Sequence, residues 1–594
     1  MFQDFSVSSS PEQGPPRLAQ LRRLMAERGI DAYIVPRADV HQGEYVSARD
    51  ARLAWLTGFT GSAGFCVVLA DKAGVFIDGR YKVQVREQVA EVYTPVNWPA
   101  TSAADWIKDN LPRDARVSFD PWMHTVTEVK TLRDGLPMMD LQPCDNLVDL
   151  IWDDQPAPAT APFFEHPVEF AGEPHQTKRE RLAADLKADC AVITLPDSIA
   201  WLLNIRGADI ERNPVPQGFA FLHTSGAVDL FAIPGKADAV LDHLGPDVTL
   251  HDIATFDTAL GQLTGSVQID PKSAPQAVQL TLLAQGRDII EQQDPCALPK
   301  ACKNDVEIAG AKSAAARDGA AMVRFLAWVD AEAPKGQLTE IDVVTHLEGL
   351  RRATNALHDI SFETICGVGA HAALPHYRVS DDSNAPVVIN DLLLVDSGGQ
   401  YLDGTTDITR TVIVGTPKPD HIKCYTLVLQ GVIALSRIRF PKGITGGNLD
   451  VLARQSLWMA GMDFDHGTGH GIGSYLSVHE GPQSISPRSD VPLRQGMILS
   501  NEPGYYREGD FGIRTENLMV VVPAPALDGG DDRDMLTFDT LTHVPFDRRL
   551  IDTALLSDTE RDWINAYHRD TLALLRDQVD GGASDWLVAA CAPL

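Results

Sequence analysis

The sequence predicts a mixed α/β protein of three domains, the first two of which are related and stand in tandem. Two observations support this prediction. A pattern of helix, strand and Ala-Trp-Leu occurs twice, first around Ala54-Trp55-Leu56 and again around Ala200-Trp201-Leu202. From about Lys303 the sequence changes to an Ala-rich helical stretch followed by apolar segments and Gly-rich turns. A repeated supersecondary pattern is typical of related α/β domains, whereas the third region needs a different architecture.

The first copy opens with an amphipathic helix. Its apolar residues Leu18, Leu21 and Met25 recur at helical intervals, and Gly29 provides a stop. The apolar run 32–35 that follows is typical of a buried strand.

The second copy repeats this order. Leu182 and Leu186 lie at helical spacing in a segment that starts at Lys178, and the apolar run 191–195 follows. The Pro/Ala tract 155–162 between the copies is typical of a linker. We therefore predict domains at 1–155, 156–302 and 303–594.

The third domain begins with a helix predicted over 306–329. Near its end, the acidic segment 528–534 predicts an exposed turn. A C-terminal extension, at about 526–594, contains a helical pattern over 559–579.

Composition limits the function classes. The chain has 594 residues, with 51 basic and 81 acidic side chains, so its net charge is −30. Nucleic acids and anionic membranes are poor partners for such a chain, because both require clustered Lys and Arg. The eight cysteines lack C-x-x-C spacing, which argues against a disulfide framework or a cysteine zinc site. The N-terminus has no signal-peptide pattern and no apolar run is long enough to span a bilayer, so we expect a cytoplasmic protein.

Two aspartates flank the first chemically unusual segment. Asp396 ends one apolar run and Asp407 begins the next. A two-residue turn at Asp403-Gly404 would pair Gln400 with Asp407 and place both aspartates on one sheet face, about 13 Å apart. That distance is too long for one metal pair, so the hairpin must open near Gly398-Gly399 if both residues are ligands. The alternative is that both aspartates only cap turns.

Three histidines lie in a Gly-rich segment. His466 and His470 flank Gly-Thr-Gly, and His479 follows nine residues later. Glycines allow the backbone and the imidazoles to approach a ligand closely, and they disfavour a helix here. The H-E-x-x-H zinc signature is absent. A single histidine is more often structural, but this grouping favours a ligand or catalytic role.

Two glutamates and a further histidine complete the candidate set. Glu502 precedes a proline, so its backbone is predicted to be extended. Glu516 lies two residues after Arg514, which predicts that the two share one face of a strand. His376 lies twenty residues before Asp396.

Four carboxylates and one imidazole form a hard, oxygen-rich donor set, namely Asp396, Asp407, His470, Glu502 and Glu516. This set suits Mn²⁺, with Co²⁺, Zn²⁺ or iron as alternatives. Two divalent cations would balance the four negative charges, which otherwise would repel one another. Two-metal sites activate water and polarise a carbonyl, so the sequence predicts hydrolytic chemistry.

These segments closely resemble the "pita-bread" metallopeptidases, and the whole chain resembles the three-domain Xaa-Pro aminopeptidases, or aminopeptidase P. The resemblance implies two creatinase-like α/β domains, followed by a pita-bread catalytic domain with a curved antiparallel sheet and outer helices. It also implies hydrolysis of the bond between an N-terminal residue and a penultimate proline. The motifs that carry it are Asp396-x10-Asp407 and the segments 466–473, 478–482, 501–506, 512–517, 41–45, 58–64, 78–81 and 199–207.

The same resemblance implies a division of roles among the five ligands. Asp396 would bind one metal ion. Asp407 and Glu516 would bridge both ions, while His470 and Glu502 would complete the second.

The resemblance also implies roles around the metal ions. Glu502 would handle the proton, and His376 and His479 would stabilise the tetrahedral intermediate. His466 would line the pocket for the penultimate proline. Arg514 would orient the carboxylates.

Other functions remain open at this point. Prolidase, a dipeptidase, resembles the third domain but has a single N-terminal domain, and methionine aminopeptidase has essentially the catalytic domain alone. Some relatives that lost metal ligands are metal-free creatine hydrolases or non-catalytic peptide- or protein-binding modules, whereas all five ligand positions are intact here. The resemblance further implies a homodimer that acts on peptides with a penultimate proline.

Overall fold

The computed structural model describes residues 1–594 and divides into two compact units. The N-terminal unit is Ser8–Lys300. The C-terminal unit combines Ala301–Leu594 with Met1–Val7, a segment that we call the N-terminal strap.

The N-terminal unit contains two six-stranded sheets with the same strand order. In each sheet the strand that opens the repeat has two neighbours. It pairs antiparallel with the next strand of the same sheet along the chain, and it pairs parallel with a strand that comes later in the chain. This matching order confirms two related α/β domains. In spatial order the sheets are Thr94–Asn97, Ala73–Ile77, Phe65–Leu69, Ala32–Pro36, Arg116–Phe119 and Asp140–Pro143, then Val248–Asp252, Val228–Ala232, Phe219–His223, Cys190–Ile193, Ser266–Ile269 and Asp288–Glu291.

Helices connect these strands where the repeat predicts them. The helix before the first strand spans Gly14–Arg28 and ends at Gly29, whose φ of 63° requires the left-handed region that glycine tolerates. Its counterpart spans His175–Asp185. The remaining α-helices are Arg52–Thr57 and Pro196–Leu203, which hold the Ala-Trp-Leu segments, and Gln84–Gln88, Ala103–Asn110, Val126–Gly135, Val168–Ala171, Leu241–Leu244, Phe256–Gln262 and Gln276–Ala284.

The C-terminal unit opens with a long helix, Asp305–Glu332. Asn304 caps its N-terminus by accepting hydrogen bonds from the backbone N–H groups of Val306 and Glu307, while the Glu307 carboxylate accepts from the backbone N–H of Asn304. The short helix Ala297–Ala301 precedes it in the chain. The other α-helices of the unit are Glu340–Arg352, Pro419–Ser436, Gly446–Met459, Asp558–Leu575 and Gly581–Ala590.

The strands of the C-terminal unit pair antiparallel, as expected for the curved sheet of this fold. One sheet contains Ile365–Val368, Asp391–Ser397 and Ile408–Val414. The largest contains Phe440–Pro441, Met535–Thr540, Asn517–Pro523, Ile498–Asn501, Gly469–Gly471 and Glu480–Ile485. The smaller ones pair Gly504–Arg507 with Phe511–Arg514, and Asp359–Ile360 with Gly399–Tyr401 and Gly404–Thr405.

Both faces of the strand Asp391–Ser397 are buried under helices. Leu393 belongs to an apolar cluster with residues of Asp305–Glu332 and Glu340–Arg352. Leu392, on the opposite face, belongs to a cluster with residues of Pro419–Ser436. Because side chains alternate along a strand, this arrangement fixes which way Asp396 points.

The N-terminal strap binds the C-terminal unit through long-range contacts. The buried Gln3 side chain accepts from the backbone N–H of Thr364 at 2.8 Å and donates to its carbonyl at 3.3 Å. Glu348 accepts from the backbone N–H groups of Phe2 and Gln3 at 2.7 and 3.1 Å. Phe5 packs against the apolar core, and its carbonyl oxygen accepts from the Asp381 N–H at 2.8 Å.

None of the helices in the structure has both the length and the apolarity needed to cross a bilayer.

Candidate metal centre

The hairpin that carries Asp396 and Asp407 differs from its predicted register. Gln400 pairs with Thr405 and not with Asp407, so the turn is centred one residue earlier than predicted. Asp396 pairs with Thr409, so Asp407 lies only two residues before the partner of Asp396, just ahead of the facing strand Ile408–Val414. The predicted separation of about 13 Å is therefore wrong.

The predicted opening of the hairpin at the glycines is confirmed. The strand Asp391–Ser397 ends before Gly398, and Gly399–Tyr401 belongs to another sheet. A Cβ atom on Gly398 would lie 1.9 Å from the Thr406 carbonyl oxygen, so only glycine permits this close approach.

Three of the predicted ligands converge in one buried pocket. One ligand atom from each of Asp407, His470 and Glu516 lies within 4.8 Å of the other two. His470 Nε2 lies 3.5 Å from Asp407 Oδ2 and 3.2 Å from Glu502 Oε1. Burial raises the pKa of both Asp407 and Glu516, and the charge of Asp396 contributes to both shifts, so Asp396 belongs to the same electrostatic group. All five predicted ligand residues are thus close enough to influence one another.

His470 is aimed into the pocket by its strand. The register shifts between His470 and Gly471, a β-bulge of the kind that redirects a side chain. A Cβ atom on Gly469 would lie 2.0 Å from the Ser500 carbonyl oxygen, so the close approach predicted from the glycines is present. His470 Nδ1 lies 3.0 Å from the Gly471 carbonyl, and donation there leaves Nε2 facing the carboxylates.

The donor set fits divalent cations. Asp396 Oδ1 and Asp407 Oδ1 are buried without a hydrogen-bond partner. Burial, followed by the neighbouring carboxylates, raises the pKa of Asp407 and of Glu516 well above the usual range. Burial opposes the charge of His470, yet hydrogen bonding to Glu502 raises its pKa to about 9. Burial also opposes the charge of Glu502, yet hydrogen bonding to His470 lowers its pKa to about 2. Asp407 and Glu516 are therefore the two carboxylates whose ionised forms a bound cation would stabilise.

Three neutral or cationic side chains orient the carboxylates. The sequence predicts a role for Arg514 but none for Thr409 or Ser500. Thr409 Oγ1 donates to Glu516 Oε2 at 2.8 Å, and Ser500 Oγ donates to Glu502 Oε1 at 3.0 Å. Arg514 Nη2 donates to Asp396 Oδ2 at 2.6 Å. The hydroxyl contacts form only when the strands and loops of the folded chain come together, so no local sequence motif predicts them.

The predicted common strand face of Arg514 and Glu516 is wrong. One strand ends at Arg514 and the next begins at Asn517, so Glu516 lies in the connection between two sheets. Its backbone N–H donates to the Thr409 carbonyl at 3.2 Å, which fixes it beside the Asp396 hairpin.

A hydrogen-bond chain connects Arg514 with His466. Arg514 Nη1 donates to the Tyr506 hydroxyl at 2.7 Å, and that hydroxyl lies 2.8 Å from His466 Nε2. His466 Nδ1 lies 2.7 Å from the Gly467 carbonyl, so the neutral tautomer donates there and accepts from Tyr506. Burial lowers the pKa of His466 to about 4, which keeps it neutral.

The backbone that carries His466 is itself anchored by a helix. Arg454, on the helix Gly446–Met459, donates to the carbonyls of Phe464 and His466, each at 2.7 Å. Asp450 on the same helix accepts from Thr468 Oγ1 at 2.7 Å. This helix therefore fixes the loop in front of His470.

The remaining predicted histidines occupy different surroundings. The His479 ring lies 4.1 Å from the His470 ring, centroid to centroid, so His479 borders the pocket. His376 lies in the connection between Ile365–Val368 and Asp391–Ser397. Its neighbour Tyr377 donates to the buried Glu340 carboxylate at 3.0 Å. The catalytic role of His376 stays a prediction.

Family models match successive parts of the chain. The model of the creatinase/prolidase N-terminal domain matches residues 17–151, and a second model with that description matches 154–307. The model of metallopeptidase family M24 matches 309–523, and that of the family's C-terminal region matches 534–594.

Full-length relatives share the same architecture. Aminopeptidase P1 of Arabidopsis thaliana is 38% identical over 97% of this chain and 99% of its own. The crystal structure of X-prolyl aminopeptidase from Caenorhabditis elegans, described as a cytosolic enzyme with a dinuclear active site, is 34% identical and superposes with a TM-score of 0.93 over 98% of this chain and 100% of that one. Xaa-Pro dipeptidase from Bacillus anthracis, 24% identical with a TM-score of 0.51 over 63% of this chain and 99% of its own, shares the fold. The protein therefore belongs to the aminopeptidase P branch of metallopeptidase family M24.

Proposed function

We propose that this protein is a metal-dependent aminopeptidase that hydrolyses the bond between an N-terminal residue and a penultimate proline. The observation that carries the proposal is the convergence of four carboxylates and His470 in one pocket of a chain that matches aminopeptidase P along nearly its whole length. Arg514 pairs with Oδ2 of Asp396, but Oδ1 of Asp396 and Oδ1 of Asp407 are buried without a hydrogen-bond partner, and a bound cation would satisfy both atoms.

Two divalent metal ions are the proposed cofactors, with Mn²⁺ preferred and Co²⁺ or Zn²⁺ as alternatives. Asp396 would hold one ion, Asp407 and Glu516 would bridge both, and His470 and Glu502 would complete the second. Bound ions of this kind supply Lewis acidity for amide hydrolysis.

Glu502 is the proposed proton carrier. The Glu502 side chain is 17% exposed and the Asp396 side chain is 10% exposed, while the whole Glu516 residue is only 1% exposed. Glu502 is therefore the most accessible of these three carboxylates. Ser500 donates to Oε1 and leaves Oε2 available to hold a proton. General acid–base catalysis requires a positioned group that exchanges protons with its surroundings.

The proposed substrate pocket is aromatic. The His466 ring lies 4.8 Å from the Phe464 ring and 5.4 Å from the Tyr506 ring, centroid to centroid. Such a surface suits the apolar pyrrolidine ring of a penultimate proline. His376 and His479 are proposed to stabilise the tetrahedral intermediate, and Arg514 to orient Asp396.

A dipeptidase and a non-catalytic binding module are the alternatives. The second creatinase-type domain and the full-length match to aminopeptidase P weigh against a prolidase. The five converging candidate ligands weigh against a module that lost its metal. The domain limits that we propose are 1–155, 156–302 and 303–594, with an extension from about 526 to 594, and the strap Met1–Val7 packs with the third of these domains. A cytoplasmic homodimer without nucleic-acid partners fits the net charge of −30 and the resemblance.

One assay tests the proposal directly. Metal-free and Mn²⁺-loaded protein are incubated with a matched pair of peptides, Xaa-Pro-Xaa and Xaa-Ala-Xaa, and the released N-terminal residue is quantified. We expect cleavage of the proline peptide by the loaded protein only. Equal cleavage of both peptides, or activity that survives stringent metal removal, would overturn the assignment. Cleavage of Xaa-Pro dipeptides in preference to longer peptides would favour the dipeptidase.

A further inference from the structure

Arg410 is a buried cation whose hydrogen-bond partners are all neutral. It lies on the strand Ile408–Val414 and is 1% exposed. Burying a charge is unfavourable unless hydrogen bonds or an opposite charge compensate, and for Arg410 neutral acceptors alone provide the compensation. Its donor groups reach Thr409 O at 2.9 Å, Glu516 O at 2.6 Å, Asn517 Oδ1 at 2.8 Å, Val544 O at 2.7 Å, Pro545 O at 3.3 Å and Tyr567 Oη at 3.1 Å.

One side of this network holds Glu516. Arg410 Nη1 donates to the Glu516 carbonyl, and the Glu516 N–H donates to the Thr409 carbonyl. Thr409 Oγ1 donates to the Glu516 carboxylate. Arg410 and its neighbour Thr409 therefore fix Glu516 at its amide, its carbonyl and its carboxylate.

The other side of the network lies in the C-terminal extension. Val544 and Pro545 supply carbonyl acceptors, and Tyr567, on the helix Asp558–Leu575, supplies a hydroxyl acceptor. The Phe546 ring lies beneath the guanidinium, 4.8 Å from its central carbon. The extension thus surrounds the part of Arg410 that faces away from Glu516.

We propose that Arg410 is a positioning residue through which the C-terminal extension fixes Glu516 and so sets the metal affinity of the pocket. The proposal rests on the proposed function only in taking Glu516 as a metal ligand. Partners behind a metal ligand orient it, and their replacement typically weakens metal binding by about 10–100-fold. A flexible Glu516 would lose this preorganisation while the five ligand residues stayed intact.

The test compares three variants of the full-length protein with the wild type. Arg410→Lys keeps a positive charge but loses the planar fork of donors. Tyr567→Phe keeps Arg410 and removes one acceptor from the extension. Arg317→Lys is the matched control, because the Arg317 guanidinium bonds to Asp403, at the tip of the same hairpin, and to Ser313, neither of which is a candidate ligand. For each we measure Mn²⁺ affinity by calorimetry, the melting temperature of metal-free protein, and kcat and KM.

We expect Arg410→Lys to weaken Mn²⁺ binding by about 10–100-fold and Tyr567→Phe by a smaller factor of about 3–10, with Arg317→Lys unchanged. A melting temperature that falls while Mn²⁺ affinity stays at the wild-type value would show a purely structural role and overturn the proposal. If Arg410→Lys does not fold, Tyr567→Phe decides, and unchanged affinity in it overturns the proposal.

This measurement separates the present proposal from the proposed activity. Calorimetry needs no peptide, so a wild-type protein that binds Mn²⁺ but cleaves no proline peptide would refute the activity and leave the role of Arg410 standing. A wild-type protein that binds no divalent cation would overturn both.

Discussion

Arg514 donates from Nη2 to Oδ2 of Asp396 across 2.6 Å, and both side chains are buried, at 3% and 10% exposure. A charged pair at this depth is stabilised by its mutual attraction only when the geometry is good and the remaining donors are satisfied. The second terminal nitrogen of Arg514 meets that condition by donating to Tyr506. The Arg514 guanidinium thus connects Asp396, a candidate metal ligand, to the Tyr506 hydroxyl, which is hydrogen-bonded to His466.

Arg514→Lys tests this coupling. Lysine cannot bridge Asp396 and Tyr506 at the same time, because it lacks the fixed fork of a guanidinium. We expect kcat/KM for a proline peptide to fall by about 10–100-fold. Steady-state kinetics measure the effect, and Arg507→Lys, on the adjacent hairpin strand and paired with Asp420, should stay near wild type. Equal losses in both variants would contradict a specific role for Arg514.

Glu502→Gln tests the proposed proton carrier. Glutamine preserves the size of the side chain and an acceptor for Ser500 but cannot release a proton. We expect kcat to fall by at least about 100-fold in a protein that still folds. Circular dichroism checks the fold, and Glu508→Gln, at an exposed position nearby, serves as the control. Near-normal kcat with full metal loading would assign the proton to another group.

Metal removal should change the pH dependence of stability. Burial and neighbouring carboxylates raise the pKa of Asp407 and Glu516 in the metal-free fold above their unfolded values of about 4. The folded state then binds more protons than the unfolded state, so its stability falls as pH rises from about 4 through the raised pKa values. Bound Mn²⁺ replaces those protons, and its stabilisation grows with pH.

Melting temperatures of chelated and Mn²⁺-loaded protein between pH 5 and 8 measure this effect. Titration of groups outside the pocket affects both samples alike, so the difference between the two curves isolates the cluster. We expect that difference to widen with increasing pH, with a stabilisation of about 3 kcal/mol at 100-fold excess over the dissociation constant. Parallel curves would show that the carboxylates carry no excess protons in the metal-free protein.

Gln3→Ala tests the N-terminal strap. The variant leaves the Thr364 backbone groups without their side-chain partner, at a cost of about 1–3 kcal/mol. Ile365, the next residue, pairs with Asp396 across the sheet, so we also expect a several-fold loss of kcat/KM. Thermal unfolding and kinetics measure the two effects. Gln13→Ala, at an exposed position outside the strap, should match wild type in both.

The repeat and the candidate ligands were predictable because their signals are local. Helix and strand periodicity, followed by the same tripeptide, marked both α/β domains. The candidate ligands, one histidine and four carboxylates, lie in short segments where glycine or proline interrupts apolar sequence. Such patterns can be recognised in a short stretch of sequence, independently of contacts with the rest of the chain.

The register of the Asp396 hairpin was not predictable, because tertiary packing decides it. The Asp403-Gly404 pair favours a turn centred on itself, yet Gly404 pairs with Tyr401 in the strand. A helix lies against this turn, because a Cβ atom on Gly310 would be 2.3 Å from the Asp403 carbonyl oxygen. Contacts made by residues remote in sequence override the local turn preference.

The strap escaped prediction for the same reason. Its polar residues carry no periodic pattern, and their partners lie hundreds of positions away. Only the folded chain shows that Gln3 is buried.

The strap is synthesised long before the groups that it binds. Phe2 and Glu348 are 346 positions apart, so at about 5–20 residues per second the ribosome needs roughly 20–70 seconds to produce the acceptor. The synthesis of Ser8–Lys300 is complete within that interval, so this unit can fold before the strap has its partner Glu348. Strap docking is therefore a late step of biosynthesis, and a nascent chain interrupted before Glu348 would expose Gln3, which the finished protein buries.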